Sequence, residues 1–192
     1  MRKKLISVLV ISIVCMAPYL VRAEAERSYE QLSPNGKYVF VMLARGPGEA
    51  GVVDELKARY PHSGLYRANF PGKALWGVKW YSSRVHVSSD GIHLVRLGRL
   101  HVAAVNGRPN MAQFAVAFYK KGRLTKRYSI GDLIDDTAAL VRSGAGFQWH
   151  ERISFDDVSE KLEVTLMTGQ KKVFDTGSGS MILAKANIRK GR

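Results

Sequence analysis

Cysteine is almost missing from this chain. Among 192 residues there is one, Cys15, and it lies in an apolar stretch near the start. No intrachain disulfide can form, and beyond position 15 there is no thiol nucleophile and no thiolate metal site. Acids are scarce too: 16 Asp and Glu stand against 30 Lys and Arg, a formal net charge of +14. Proline is sparse, at 6 residues, so little interrupts regular structure outside the turns. Long hydrophobic runs are missing with one exception, Leu5–Met16. That run falls short of the roughly 20 residues a membrane-spanning helix needs, and Pro18 and Arg22 follow it.

The exception has a recognisable layout. Arg2, Lys3 and Lys4 precede the run, and Ala23-Glu24-Ala25 offers small residues where a signal peptidase reads. This predicts a secretory signal peptide over residues 1–25, with residues 26–192 as a single mainly-β domain. An uncleaved anchor is the alternative. Val14 stands where a lipoprotein signal wants a small residue, which argues against a lipid-modified Cys15. The expected location is periplasmic or extracellular. Four basic residues and one acid fall in the leader, so the remainder carries 26 against 15, a net of +11. Outside the cytoplasm such a charge favours an anionic envelope polymer, a glycan or lipid head groups, or another protein. Nucleic acid is not an expected partner in that compartment.

Turn chemistry and β-rich runs alternate along the chain. After a polar lead-in at 26–32, Ser33-Pro34-Asn35-Gly36 is a tight turn feeding a strand from Lys37 to Leu43. Ser88-Ser89-Asp90-Gly91 repeats the chemistry between Arg84–Val87 and Ile92–Leu97, predicting a hairpin. Lys120-Lys121-Gly122 joins Phe114–Tyr119 to Leu124–Ile130 in a third. Lys161–Thr168, Gly169 and Lys172–Phe174 make a fourth, and Thr176-Gly177-Ser178-Gly179 leads into Met181-Ile182-Leu183. A strand is expected over Ala74–Tyr81. Helix is the minority: Val52–Tyr60, closed by Pro61, and a short capped stretch from Ser129 through Ile134, with a further turn through Val141. Ser143–Gly146 reads as a joint. The expected fold is mainly β, antiparallel meander sheets (blade-like or sandwich) with one or two short helices.

Ser33-Pro34-Asn35-Gly36-Lys37 resembles the Ser-Pro-Asp-Gly-Lys turns of bacterial β-propeller blades. Ser88-Ser89-Asp90-Gly91 is a looser version, and Val173-Phe174-Asp175 before Thr176-Gly177 is similar to another common blade ending. The resemblance covers about a quarter of the chain. At ~40–45 residues per blade, four at most would fit. What it implies is a binding scaffold rather than a particular chemistry.

Several constellations bear on chemistry. Gly46-Pro47-Gly48-Glu49-Ala50-Gly51 fits G-x-G-x-x-G, but Glu49 puts negative charge where a phosphate would sit. No acid lies between Glu55 and Asp90 to meet a ribose. A dinucleotide is therefore not expected, nor any other cofactor. His86, His93 and His101 cluster in sequence. A bulged loop at Gly91, as favoured by the matching turn at Gly36, puts His86 and His93 on opposite faces, and no metal site is assigned. Ser88, Asp90 and His93 or His150 can be combined as Ser/His/Asp on paper, but none sits in G-x-S-x-G, and no catalytic residue is assigned. Trp76 and Trp80 alternate on the expected strand and form a candidate aromatic platform or a core face. Lys120, Lys121, Arg123, Lys126 and Arg127 fall within eight residues with no intervening acid. They are the candidate anion-binding surface, or else a solvated turn that guards an edge strand. The expected function is a non-enzymatic binding or scaffold module at the cell envelope with a preference for anionic partners. The alternatives are a hydrolase with an unidentified active site and a β subunit completed by another chain.

Overall fold

The computed structural model describes residues 26–46, 54–144 and 146–182. Among them, sixteen strands form four four-stranded antiparallel sheets, so the chain is mainly β as expected. Sheet one is a meander of β1 (Tyr29–Leu32), β2 (Tyr38–Met42), β3 (Gly64–Arg67) and β4 (Trp76–Gly77), with helix α1 (Glu55–Arg59) between β2 and β3. Sheet two contains β5 (Val85–Val87), β6 (His93–Leu97), β9 (Phe114–Lys120) and β10 (Arg123–Ser129), in the order β10-β9-β6-β5. Sheet three, ordered β11-β12-β7-β8, pairs β7 (His101–Val105) and β8 (Arg108–Pro109) with β11 (Val141–Ser143) and β12 (Gly146–Gln148). Sheet four is a second meander, of β13 (His150–Asp156), β14 (Lys161–Leu166), β15 (Lys171–Asp175) and β16 (Met181–Ile182).

The burial pattern explains the apolar runs. In β2, Phe40 and Met42 face one way and pack with Leu65 against Val87, Leu94, Ala117 and Tyr119 of sheet two. Val39 and Val41 face the other way, with Tyr66, onto Tyr60 and Leu56 beside α1. A strand covered on both faces needs no polar alternation, which is why Tyr38–Leu43 reads as one continuous run. Sheet two is also covered on both sides. Val95, Leu97, Val116 and Phe118 leave its second face and meet Trp149, Leu162, Val164, Leu166 and Phe174. The Phe118 and Phe174 ring centroids lie 5.6 Å apart. Burying a side chain of this size stabilises by about 1.5–3 kcal/mol, so this interface is the larger part of the core.

The two Ser-x-Asn/Asp-Gly turns are one structure built twice. Each closes a four-residue loop: Ser33 N–H donates to Tyr38 O at 2.9 Å, and Ser88 N–H to His93 O at 3.1 Å. The Asn35 and Asp90 side chains accept from the backbone N–H two residues on, at 3.1 and 2.7 Å. Gly36 and Gly91 supply the left-handed backbone, at φ +68 and +67. The turns also touch, since the Asn35 amide donates to Ser89 O at 2.7 Å.

The structure departs from the sequence reading in several places. The lead-in at 26–32 contains strand β1; it is an edge strand with mostly exposed side chains, so it carries no apolar signal. The four-residue loop pairs His86 with Val95 and leaves Ser88 opposite His93. His86 and His93 therefore share a face, against the bulged register expected. The strand expected over Ala74–Tyr81 contracts to Trp76–Gly77, because Val78 N–H bonds Ser63 O and the chain then leaves the sheet. The helix expected from Val52 is α1, capped by Asp54, whose side chain accepts from Lys57 N–H. Residues 52 and 53, and most of the Gly46–Gly51 loop, lie outside the described residues. Ser129–Ile134 makes one turn, not a helix, and Thr137–Ala139 is a 3-10 turn capped by Asp136. Ser143 and Gly146 pair with each other in the β11–β12 hairpin, so this stretch connects two strands of one sheet and is not a joint.

Candidate anion-binding surfaces

The predicted cationic residues sit on β9, β10 and their turn. Lys121 and Gly122 take left-handed backbone at φ 47 and 75 and close a two-residue loop, with Lys120 paired to Arg123. Gly122 is required there: a Cβ would lie 2.5 Å from Gly77 O. Lys120, Lys121, Arg123, Lys126 and Arg127 are all exposed. None takes part in an ion pair among the described residues. One carboxylate feels the group. Asp132 is held below the ordinary carboxylate value, chiefly by hydrogen bonds from Ser129 and in small part by the charge of Lys126.

The five do not form one plane. Arg127 lies opposite Ala117 and stacks over the Phe114 ring at 5.6 Å. Lys126 lies opposite Phe118, on the other face, and reaches over Tyr128 at 5.7 Å. Because β10 is an edge strand of sheet two, the charges fan out on both sides of a backbone edge that pairs with no other strand among the described residues.

Trp76 and Trp80 pack inward between sheets one and two. Both rings lie near Phe40, at 5.9 and 6.1 Å, and Trp80 also meets Tyr119 at 5.0 Å. Trp76 Nε1–H donates to Gly91 O at 3.1 Å. The face of Trp80 is occupied by Arg96, whose guanidinium carbon sits 4.7 Å from that ring and 4.9 Å from the ring of Phe114. Arg96 is thus held between two aromatic faces, and Arg127 lies over Phe114 as well. Trp80 and Arg127, chosen from sequence for different reasons, belong to one aromatic–arginine cluster.

Arg96 opens onto a feature that sequence reasoning missed. A cleft of about 990 Å³ is walled by Glu26, Arg27 and Tyr29, Arg45, the Tyr81–Ser83 segment, Arg96–Arg99 and Gln113–Phe114. Four arginines line it: Arg27, Arg45, Arg96 and Arg99. The one carboxylate in the lining, Glu26, is taken by Arg45, which holds it below its ordinary value through their hydrogen bonds. Arg96 donates from Nη2 to Tyr81 O at 2.9 Å, while its buried Nε has no acceptor. Arg96 is in no ion pair among the described residues. Tyr29 donates to Ser82 O at 2.7 Å, and burial and then the nearby Tyr81 push its phenol far above the usual value. The arginines come from segments up to 72 positions apart (27 to 99), so no local pattern joins them.

One histidine packs sheet two against sheet four. His86 stacks on Phe155 with centroids 3.7 Å apart and bonds Asp157 at 2.8 Å. His93 Nδ1 bonds Asp90 at 2.6 Å. Ser88 Oγ also donates to Asp90, and accepts nothing from the His93 ring. A nucleophilic triad needs the hydroxyl on the histidine and the histidine on the carboxylate. Here the carboxylate sits between the other two, which fits a tied turn. His150 is buried, both ring nitrogens lack hydrogen-bond partners among the described residues, and burial, reinforced by Arg84 and His101, pulls its pKa down to about 4.

Compared with known proteins, the chain matches no family model, no curated sequence and no solved structure.

Proposed function

We propose that the chain is a non-enzymatic binding module of the cell envelope, exported by its leader, that holds anionic partners along β10. One observation carries this reading. Five cations stand within eight residues on an edge strand and its turn, all exposed, and none is neutralised by an ion pair among the described residues. An unpaired cationic row raises the local concentration of a polyanion and holds it by many weak contacts. The seven residues of β10 extend about 23 Å at roughly 3.3 Å per residue. An extended acidic glycan or envelope polymer can meet several charges at once over that length. The same charges also discourage another strand from pairing with the edge, and a salt titration separates the two roles. Binding of sulfated dextran, followed by fluorescence anisotropy, is expected to weaken steeply as salt rises. Salt-independent binding, or none at low salt, contradicts the proposal.

A further inference from the structure

We infer that the cleft between sheets one and two is a separate site for a phosphate monoester, with Arg96 as its anchor. Three observations converge. The first is charge: four arginines line the cleft against one carboxylate that is already engaged by Arg45. Three cations are left over, more than one carboxylate neutralises and well matched to a phosphoryl group carrying close to two charges.

The second is the setting of Arg96. A guanidinium drawn partly out of water normally acquires an acid partner, because desolvating a cation costs several kcal/mol. Arg96 has none among the described residues. Its carbon is fixed between Trp80 and Phe114, at 4.7 and 4.9 Å, and its one hydrogen bond, to Tyr81 O, fixes the plane of the fork. A fork oriented beforehand loses little entropy on taking two oxygens of a tetrahedral anion.

The third is shape. At about 990 Å³ the cleft has the size of a small-molecule site and exceeds what a bare anion fills. Leu97 and Phe114 give it an apolar wall, and Gln113 and Ser83 add polar contacts. That lining suits the carbon skeleton of an ester.

Isothermal titration calorimetry on the full chain at low salt tests this, with glycerol 3-phosphate and inorganic phosphate as the probes. The expected result is saturable binding of glycerol 3-phosphate, tighter than that of inorganic phosphate. R96M is expected to bind about ten- to hundredfold more weakly, the range for one charge-assisted hydrogen-bonded anchor. R96K, which keeps the charge but loses the fork, is expected to bind at least about tenfold more weakly. K161Q, which removes one exposed charge on sheet four, is expected to match the parent. Near-UV circular dichroism establishes that each variant is folded. Should R96M fail to fold, R99M at the exposed rim is expected to lose affinity about threefold, as for a solvated contact. Parent-like affinity in the folded Arg96 variants overturns the inference, as does equal loss in K161Q. Inorganic phosphate binding as tightly as the ester overturns the ester assignment. A parent that binds sulfated dextran but not glycerol 3-phosphate overturns this inference and leaves the β10 reading standing.

Discussion

The β9–β10 hairpin and the arginine cleft are two concentrations of positive charge built in opposite ways. The hairpin takes its charge from consecutive residues. Its cations are exposed, and most are held by nothing but solvent and the strand beneath them. The cleft takes its charge from three separate segments, around Arg27, Arg45 and Arg96–Arg99. Its central arginine is locked between Trp80 and Phe114 and tied to Tyr81 O. A local row of charge survives changes elsewhere in the fold and suits loose contacts with a polymer. An assembled site depends on the packing around it and suits a small ligand of defined shape. The difference lies in preorganisation, since the charges are of the same sign and similar number.

The strongest way to break the comparison is from underneath. Phe118 is fully buried in β9, below the hairpin, whereas Leu124 on β10 is 56 % exposed. Phe118→Ala is expected to cost about 3–5 kcal/mol of stability, and Leu124→Ala about 0.5 kcal/mol or less. Chemical denaturation of the two variants checks this. Similar losses would mean that the hairpin's outer strand is as integral as its inner one.

Acid separates the two regions next. His150 follows Trp149, whose Nε1–H donates to Arg99 O at the cleft wall, at 2.8 Å. The His150 pKa is depressed to about 4. As pH falls below about 6.5 the unfolded chain takes up a proton on this histidine and the folded chain does not. Stability is therefore lost between about pH 6.5 and 4, by about 3 kcal/mol at 1.36 kcal/mol per unit. His150→Phe is expected to flatten that slope in a series of denaturation curves. Asp90, Asp132, Asp156 and Asp175 are held low by their hydrogen bonds. Their contribution is present at higher pH and is lost only further down, through and below the ordinary carboxylate range. An unchanged slope in His150→Phe would contradict the assignment.

The turns give a smaller and cleaner contrast. Gly36 and Gly91 share φ near +67, but a Cβ on Gly36 meets open space and one on Gly91 would lie 2.6 Å from the Tyr38 ring. The Gly91 loop also braces the hairpin, because Lys121 N–H donates to Ile92 O at 2.8 Å. Gly36→Ala is expected to cost about 1–2 kcal/mol from backbone strain alone, and Gly91→Ala to cost more. Thermal denaturation of the pair reads the difference. The smallest expected effect belongs to the cleft: Glu26→Gln frees Arg45 and is expected to tighten glycerol 3-phosphate binding about threefold, measured by calorimetry.

The sequence was informative where structure is local. Ser33-Pro34-Asn35-Gly36 marked a tight turn into a strand, and Ser88-Ser89-Asp90-Gly91 and Lys121-Gly122 marked hairpins, because turn residues act through their own backbone. β2 and β9 were legible as unbroken apolar runs. β1 was not, since an exposed edge strand has no apolar periodicity to show. The register at His86 and His93 escaped as well: a one-residue difference in loop length flips a strand's faces, and the turn residues alone did not fix that length. The hairpin cations were visible as neighbours in sequence. The cleft arginines were not, for Arg27 and Arg45 join Arg96 and Arg99 only when sheet one packs on sheet two. The one available hint was Trp80 on a chain rich in arginine, and an aromatic ring alone does not say which cation it will hold.

The account rests most heavily on the unpaired charge of β10, and one measurement reaches it directly. The slope of log affinity for sulfated dextran against log salt should be compared between the parent and a variant with Lys120, Lys121, Arg123 and Lys126 changed to Gln. The account predicts a slope shallower by about three to four in the variant, close to one per lost contact, with the fold unchanged by circular dichroism. Superimposable slopes would contradict it.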